Sequence, residues 1–203
     1  MYKLPYFTEE NEEVVFAFMN KNLFAIITGY NGNFPVATHV PLDIKKVGEQ
    51  IILTGHMMKN TDHHKAFLQN ENVLVVFNGP HCYVSASWYV KKEVASTWNY
   101  IDVHAKGKIK FTDEEGTKKI IESITDKYET KESDAAFNKL TQDYVDRLVK
   151  AIIGFTIEIS SIENVFKLSQ NHDAITRESI VGNLKIRSDA GSHAIAKEME
   201  KRF

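Results

Sequence analysis

The run from Tyr100 to Phe111 constrains the fold more than any other stretch of this chain. Val103, Ala105, Gly107, Ile109 and Phe111 alternate there with polar or charged residues. An apolar period of two puts one set of side chains on each face of an extended strand. The run is therefore read as a long, half-buried β-strand.

Shorter runs of the same kind surround it. Leu23 to Thr28 and Phe34 to Leu42 read as partner strands joined by the turn Tyr30-Asn31-Gly32-Asn33, because Asn-Gly tolerates positive φ. Lys46-Val47-Gly48-Glu49 is a second turn and Gln50 to Gly55 a third strand. Val73 to Phe77 is fully apolar and leads into a hairpin of mixed aromatic and polar residues. Ala151 to Ile159 and Ile162 to Leu168 read as a further strand pair.

Helical spacing appears between them. Thr8 is placed as an N-cap, with Val14, Val15, Phe18 and Met19 on the buried face of a helix reaching about Asn22. Asn60 to Gln69 reads as a short helix. Thr112 and Glu115 form a capping box ahead of a stripe at Ile120, Ile121, Ile124 and Tyr128. Phe137, Leu140, Tyr144 and Leu148 form the stripe of the next helix, and polar helices near Thr176–Ile186 and Ser192–Lys201 close the chain. About six or seven strands with tight turns and late helices predict an α+β, mainly β protein, a small barrel with helical additions.

Composition sets bounds on function. A chain of 203 residues is one large domain, or one with an appendage. The net charge of -2 argues against a uniformly basic nucleic-acid surface, and the basic stretches Lys106–Lys110 and Lys197–Arg202 read as solvated faces. The single cysteine, Cys82, excludes an internal disulfide and points to a reducing, cytoplasmic location. No apolar run approaches the roughly 18 residues that span a bilayer, and the N-terminus lacks an apolar signal core, so no membrane association is expected.

The residues best suited to chemistry lie in Gly79–Tyr89 and Thr97–Gly107, which hold both tryptophans. Rings mixed with hydroxyls, an amide and a lysine suit a flat ligand with a polar rim, or else a half-buried hairpin whose aromatics simply pack. Thr54 to Thr61 leaves a strand at Gly55 and enters a helix beside Lys59. That is either a phosphate site or an ordinary loop with Thr61 as N-cap. Pro41 puts the strand of Ala37 to Leu42 at a sheet edge or breaks it. Lys167 to Asn171, followed by Arg177, is a dense polar cluster after a strand. His56, His63 and His64 lack metal-ligand spacing, so no metal is expected. Cys82 reads as a small buried hydrophobe. No P-loop, dinucleotide fingerprint or hydrolase elbow is present.

Taken in order, Ala37-Thr38-His39-Val40-Pro41-Leu42, Gly55-His56-Met57, Phe77-Asn78-Gly79-Pro80-His81, Ser85-Ala86-Ser87-Trp88-Tyr89, Thr97-Trp98-Asn99-Tyr100, Val103-His104-Ala105-Lys106-Gly107, Gly154-Phe155 and Lys167-Leu168-Ser169-Gln170-Asn171 resemble the PaiB-type FMN-binding transcriptional regulator family. The resemblance runs from Met1-Tyr2 to about Leu184. Ala86 and Ala95 stand where that pattern has proline, and His172 where arginine is common, which weakens a charge argument at that site.

The resemblance implies an FMN-binding split β-barrel with peripheral helices, of the pyridoxamine-phosphate-oxidase-like kind. It implies a cofactor-binding domain over 1–186, with a helical insertion at about 112–150 and a helical tail over 187–203. It also implies a homodimer with FMN between subunits, and negative regulation of transcription with DNA as a partner. By analogy Thr38, His39 and Val40 line the flavin, and Thr54, Gly55, His56, Lys59 and Asn60 approach its phosphate. Trp98 and Asn99 lie near the ring, and Lys167 and Gln170 reach in from the partner subunit. The alternatives are a flavin-dependent oxidoreductase with His56, His81 or His104 as proton donor, and a haem-binding split barrel.

Overall fold

The computed structural model of the chain describes residues 1 and 4–202. Tyr2, at the start of the matched blocks, and Phe203, the last residue of the expected tail, lie outside the described residues, as does Lys3.

Among the described residues seven strands form one sheet in the order β2-β1-β5-β6-β7-β4-β3. They are β1 (Phe24–Tyr30), β2 (Pro35–Pro41), β3 (Asp43–Val47), β4 (Gln50–Met58), β5 (Asn72–Val84), β6 (Thr97–Phe111) and β7 (Ile152–Lys167). The pairs β1–β2, β1–β5, β3–β4 and β4–β7 are antiparallel. The described helices are α1 (Glu12–Lys21), α2 (Asp62–Gln69), α3 (Glu114–Tyr128), α4 (Gln142–Ala151), α5 (Ala174–Lys185) and α6 (Ala190–Glu200). The result is an α+β, mainly β fold.

The chain divides into two compact units. The first holds Met1–Phe18, Asn78–Val103 and Glu163–Phe203, and the second Met19–Phe77 and His104–Ile162. The core of the second contains Ile27, Leu53, Phe67, Val75, Phe77, Phe155 and Ile157. A side cluster there joins Ile121 of α3 to Val145 and Val149 of α4, with Phe137. The core of the first includes Ile101, Val103, Leu168, Ile180, Leu184, Ile195 and Met199.

The period-two pattern of β6 predicts its burial well: Val103, Ala105 and Ile109 are buried and Lys106, Lys108 and Lys110 exposed. Gly107 takes a buried slot because a Cβ there would lie 2.5 Å from the Glu158 carbonyl of β7.

Several local expectations need correction. Asp43–Val47, without alternation, is a strand because Gly48, at φ 60, turns it back onto β4. Val73–Phe77 continues through Gly79 and Pro80 into the one strand β5, and Ala151–Ile159 and Ile162–Leu168 are likewise one strand, β7. Thr8 does not cap α1 but ends the 3-10 turn Pro5–Phe7, its amide donating to the Pro5 carbonyl; α1 begins later, with Asn11 Oδ1 accepting from the Glu13 amide at 3.0 Å. Asp113 rather than Thr112 caps α3, accepting from the Gly116 amide at 2.8 Å. Thr112 is held instead by its amide donating to Gly154. In α4 the buried stripe is Val145 and Val149, while Tyr144 is exposed, because Thr141 rather than an earlier residue starts the helix.

Candidate functional site

In the second unit, the predicted residues lie on β2, on β4 and in the turn after it. Thr38 is half-buried, His39 exposed and Val40 buried, as alternation on an extended strand requires. The His39 ring stacks on Phe24 of β1, centroids 5.9 Å apart. Gly55 is tightly packed: a Cβ there would fall 2.7 Å from Phe155 and 3.2 Å from the Pro41 carbonyl. Beside it His56 is half-buried, and its Nδ1 is buried with no hydrogen-bond partner among the described residues. Burial lowers the His56 pKa, so the ring is held neutral.

The turn from β4 into α2 is built by its own side chains. Thr61 caps α2, accepting from the His64 amide at 3.3 Å, and its hydroxyl donates to the Met58 carbonyl. Asn60 adopts φ 65, and its amide donates to His64 Nδ1 at 3.1 Å. His64 Nε2 then carries the proton and is buried without a hydrogen-bond partner among the described residues, with the Phe111 ring edge-on at 4.9 Å. Lys59 turns to the C-terminal end of α4. Its amide donates to the Ala151 carbonyl at 2.9 Å and its ammonium to the Val149 carbonyl at 2.8 Å. The cation there satisfies a helix-end carbonyl and faces the negative end of the helix dipole.

In the first unit, the predicted residues gather where β6 begins and β7 ends. Trp98 is 54% exposed. The rings of His81 and Tyr83 each lie 6.1 Å from it, and with it form an outward aromatic strip. Asn99, on the opposite face of the strand, is fully buried. Its Nδ2 donates to Ser169 Oγ at 2.9 Å, and Ser169 holds φ 64. Lys167 donates to Thr97 Oγ1, and to the Trp98 carbonyl at 3.0 Å. Its ammonium lies 5.8 Å from the Phe7 ring centroid. Gln170 folds back on its own turn, donating to the Phe166 carbonyl while its Oε1 accepts from the Leu168 amide.

Asn99 and Lys167 line a cavity of about 370 Å³ together with Tyr6, Phe7, Tyr89 and His172. Thr97 and Ser169 also line it, and both sit inside sequence blocks already singled out. Tyr6 and Phe7 carried no such signal, since their cavity neighbours lie far away in sequence. Cys82 is buried, and burial pushes its thiol up to about 11, which makes it inert near neutral pH. Among the described residues no group of three or more His, Cys, Asp or Glu can hold a metal ion. No described helix is long and apolar enough to cross a membrane.

Residues 1–161 match the model of a family described as "Putative FMN-binding domain". The chain is 30% identical over 204 residues to Protease synthase and sporulation protein PAI 2 of Bacillus subtilis, an alignment covering 100% of this chain and 98% of that protein. Among solved structures it is similar to the Flavocytochrome Anf3 from Azotobacter vinelandii, with a TM-score of 0.62 and 14% identity over 82% of this chain and 72% of that one. It is also similar to the FAD and Heme binding protein from Mycobacterium smegmatis, with a TM-score of 0.59 and 14% identity over 86% and 79%. At such identities the likeness is one of fold, and that fold is the split β-barrel expected from the sequence. The resemblance read from the ordered blocks holds. By the family match and the full-length relative together, this chain belongs to the FMN-binding domain family.

Proposed function

We propose that this chain is an FMN-binding negative regulator of transcription. The observation that carries the reading is the end-to-end relation to the Bacillus subtilis sporulation protein, combined with an FMN-binding family match over 1–161. We place the cofactor-binding domain at 1–186, with the helical insertion at 112–150 and the tail at 187–203, and take the working form as a cytoplasmic homodimer.

The residues present fit FMN. Thr38, His39, Val40, Thr54, Gly55, His56, Lys59 and Asn60 would hold one part of it, and the orphaned Nδ1 of His56 supports this. Trp98 would lie near the ring, supported by the exposed aromatic strip around it; Asn99, buried on the opposite face, would act there only by holding the strand through Ser169. Lys167 and Gln170 would reach the flavin of the partner copy. FMN supplies a redox-active ring, and this chain supplies binding, orientation and electrostatics.

A second reading, a flavin-dependent oxidoreductase, is favoured by where the basic side chains go. Lys108 pairs with Glu71, Lys110 with Glu158, Lys185 with Glu200, and Arg202 with Glu9. Each of these carboxylates competes with a phosphate for its cation, although the exposed pairs are individually weak. The α5–α6 pair has the short link of a helix-turn-helix, but Gly191, in the first turn of α6, packs against the His81 carbonyl. A recognition helix needs that end free to enter the major groove.

The test is the visible absorption spectrum of the purified chain titrated with FMN, followed by retention of a promoter fragment at rising salt. Saturable perturbation of the flavin bands and salt-steep DNA retention support the regulator. Flavin binding with sustained nicotinamide oxidation and no DNA retention supports the oxidoreductase. No saturable flavin binding sinks both.

A further inference from the structure

The cavity beside Lys167 lies wholly within the first unit, and at about 370 Å³ it is large enough for a small organic molecule. Its walls are aromatic. The Tyr89 and His172 rings sit 4.5 Å apart at 40°, and the Phe7 ring, also in the lining, has its centroid 5.8 Å from the Lys167 ammonium.

Its polar groups are unbalanced in one direction. Lys167 is partly buried, and its described partners are neutral oxygens, those of Thr97 and Trp98. No Asp or Glu is among the described lining residues. Burial lowers the Lys167 pKa with no carboxylate opposing it. An unspent donor is Tyr89, 3% exposed, whose hydroxyl is buried and has no partner among the described residues. Burial also raises the Tyr89 pKa, so the phenol keeps its proton. A desolvated cation without a counter-charge and a buried donor without an acceptor each cost free energy. A ligand that brings acceptors and negative charge offsets both.

We propose that this cavity binds a small aromatic carboxylate, its charge at Lys167 and its ring between Phe7 and the Tyr89–His172 pair. The site goes beyond the flavin reading and stands on the cavity alone, although the two share Lys167.

The test is calorimetric titration of the full chain with benzoate, and with benzamide as the uncharged match, both without and with FMN. Saturable benzoate binding is expected, with benzamide much weaker. Lys167→Gln keeps an N–H donor for Thr97 and Trp98 but removes the charge, and should weaken benzoate roughly tenfold or more. Tyr89→Phe keeps the ring and should weaken benzoate roughly threefold or more, which serves if the lysine variant does not fold. No benzoate binding, equal binding of benzamide, or an unchanged Kd in a folded Lys167→Gln variant overturns the inference. So does complete exclusion of benzoate by FMN, which would make the cavity part of the flavin site. Benzoate binding by a chain that takes up no FMN leaves the inference standing and removes the flavin reading.

Discussion

The ammonium of Lys59 donates to the carbonyl of Val149, 2.8 Å away at the C-terminal end of α4. A residue that the sequence offers as a phosphate ligand thus also fastens a helix end. Lys59→Met should lower stability by about 1–2 kcal/mol through loss of a charged hydrogen bond to an otherwise unmet carbonyl. Urea unfolding measures it; an unchanged midpoint would show that water replaces the ammonium at no cost. The remaining N–H groups of Lys59 can still serve a phosphate, so FMN affinity should fall as well.

Asn99 and Ser169 form a fully buried polar pair, and Ser169 sits in left-handed backbone at φ 64. Asn99→Ala should cost about 1–3 kcal/mol, because it strands the serine hydroxyl. Ser169→Ala and Ser169→Gly both remove that hydroxyl, but glycine relieves the positive φ. The glycine variant should be the more stable by about 1 kcal/mol. Equal melting temperatures for the two would count against backbone strain there.

Acid should loosen the fold before any carboxylate titrates. His56, His64 and His172 all have pKa values lowered from 6.5, chiefly by burial. The unfolded chain therefore binds protons first as pH falls, so stability rises with pH across this window. The contribution is complete above 6.5 and is lost as pH falls from there towards the lower folded values. Asp43, Asp173 and Asp189 are shifted down from 3.8 and act only at lower pH. Urea midpoints at pH 7.5 and 5.5 (about two units apart) check this, and His64→Gln should flatten the difference. A midpoint independent of pH would contradict it.

Trp98 is exposed beside His81 and Tyr83. If the flavin ring lies near this strip, FMN should quench Trp98 emission. Trp98→Phe leaves Trp88 as the reporter, and the fraction quenched should drop by more than about half at van der Waals range. Quenching of the same fraction in parent and variant would place the flavin elsewhere.

How much of this could be read from the chain differs with the range of the interaction. The strands β1, β2, β4 and β6 were legible because alternation and Asn-Gly turns act locally. Strand β3 was not, because Asp43–Val47 is extended only through its register with β4. The cap of α3 was misplaced by one residue because Thr112 and Asp113 are both good caps, and the pairing of Thr112 with Gly154 decides between them. In the candidate site, Trp98, Asn99 and Lys167 were visible as unusual residue types within ordered blocks. That Asn99 points inward to Ser169 while Trp98 points outward follows from the pleat, once the strand is placed.

The sequence by itself determined the mainly β class, the family and the residues worth testing. All of these rest on local periodicity, composition and the order of short motifs. Tertiary structure alone decided which polar groups are spent and which are not. It turned Lys59 onto the end of α4, tied Gln170 to its own turn, and left Tyr89 and His56 each with a buried, unpartnered atom. Those outcomes depend on groups brought together across long stretches of chain, where burial and hydrogen-bond competition rather than residue type set the result.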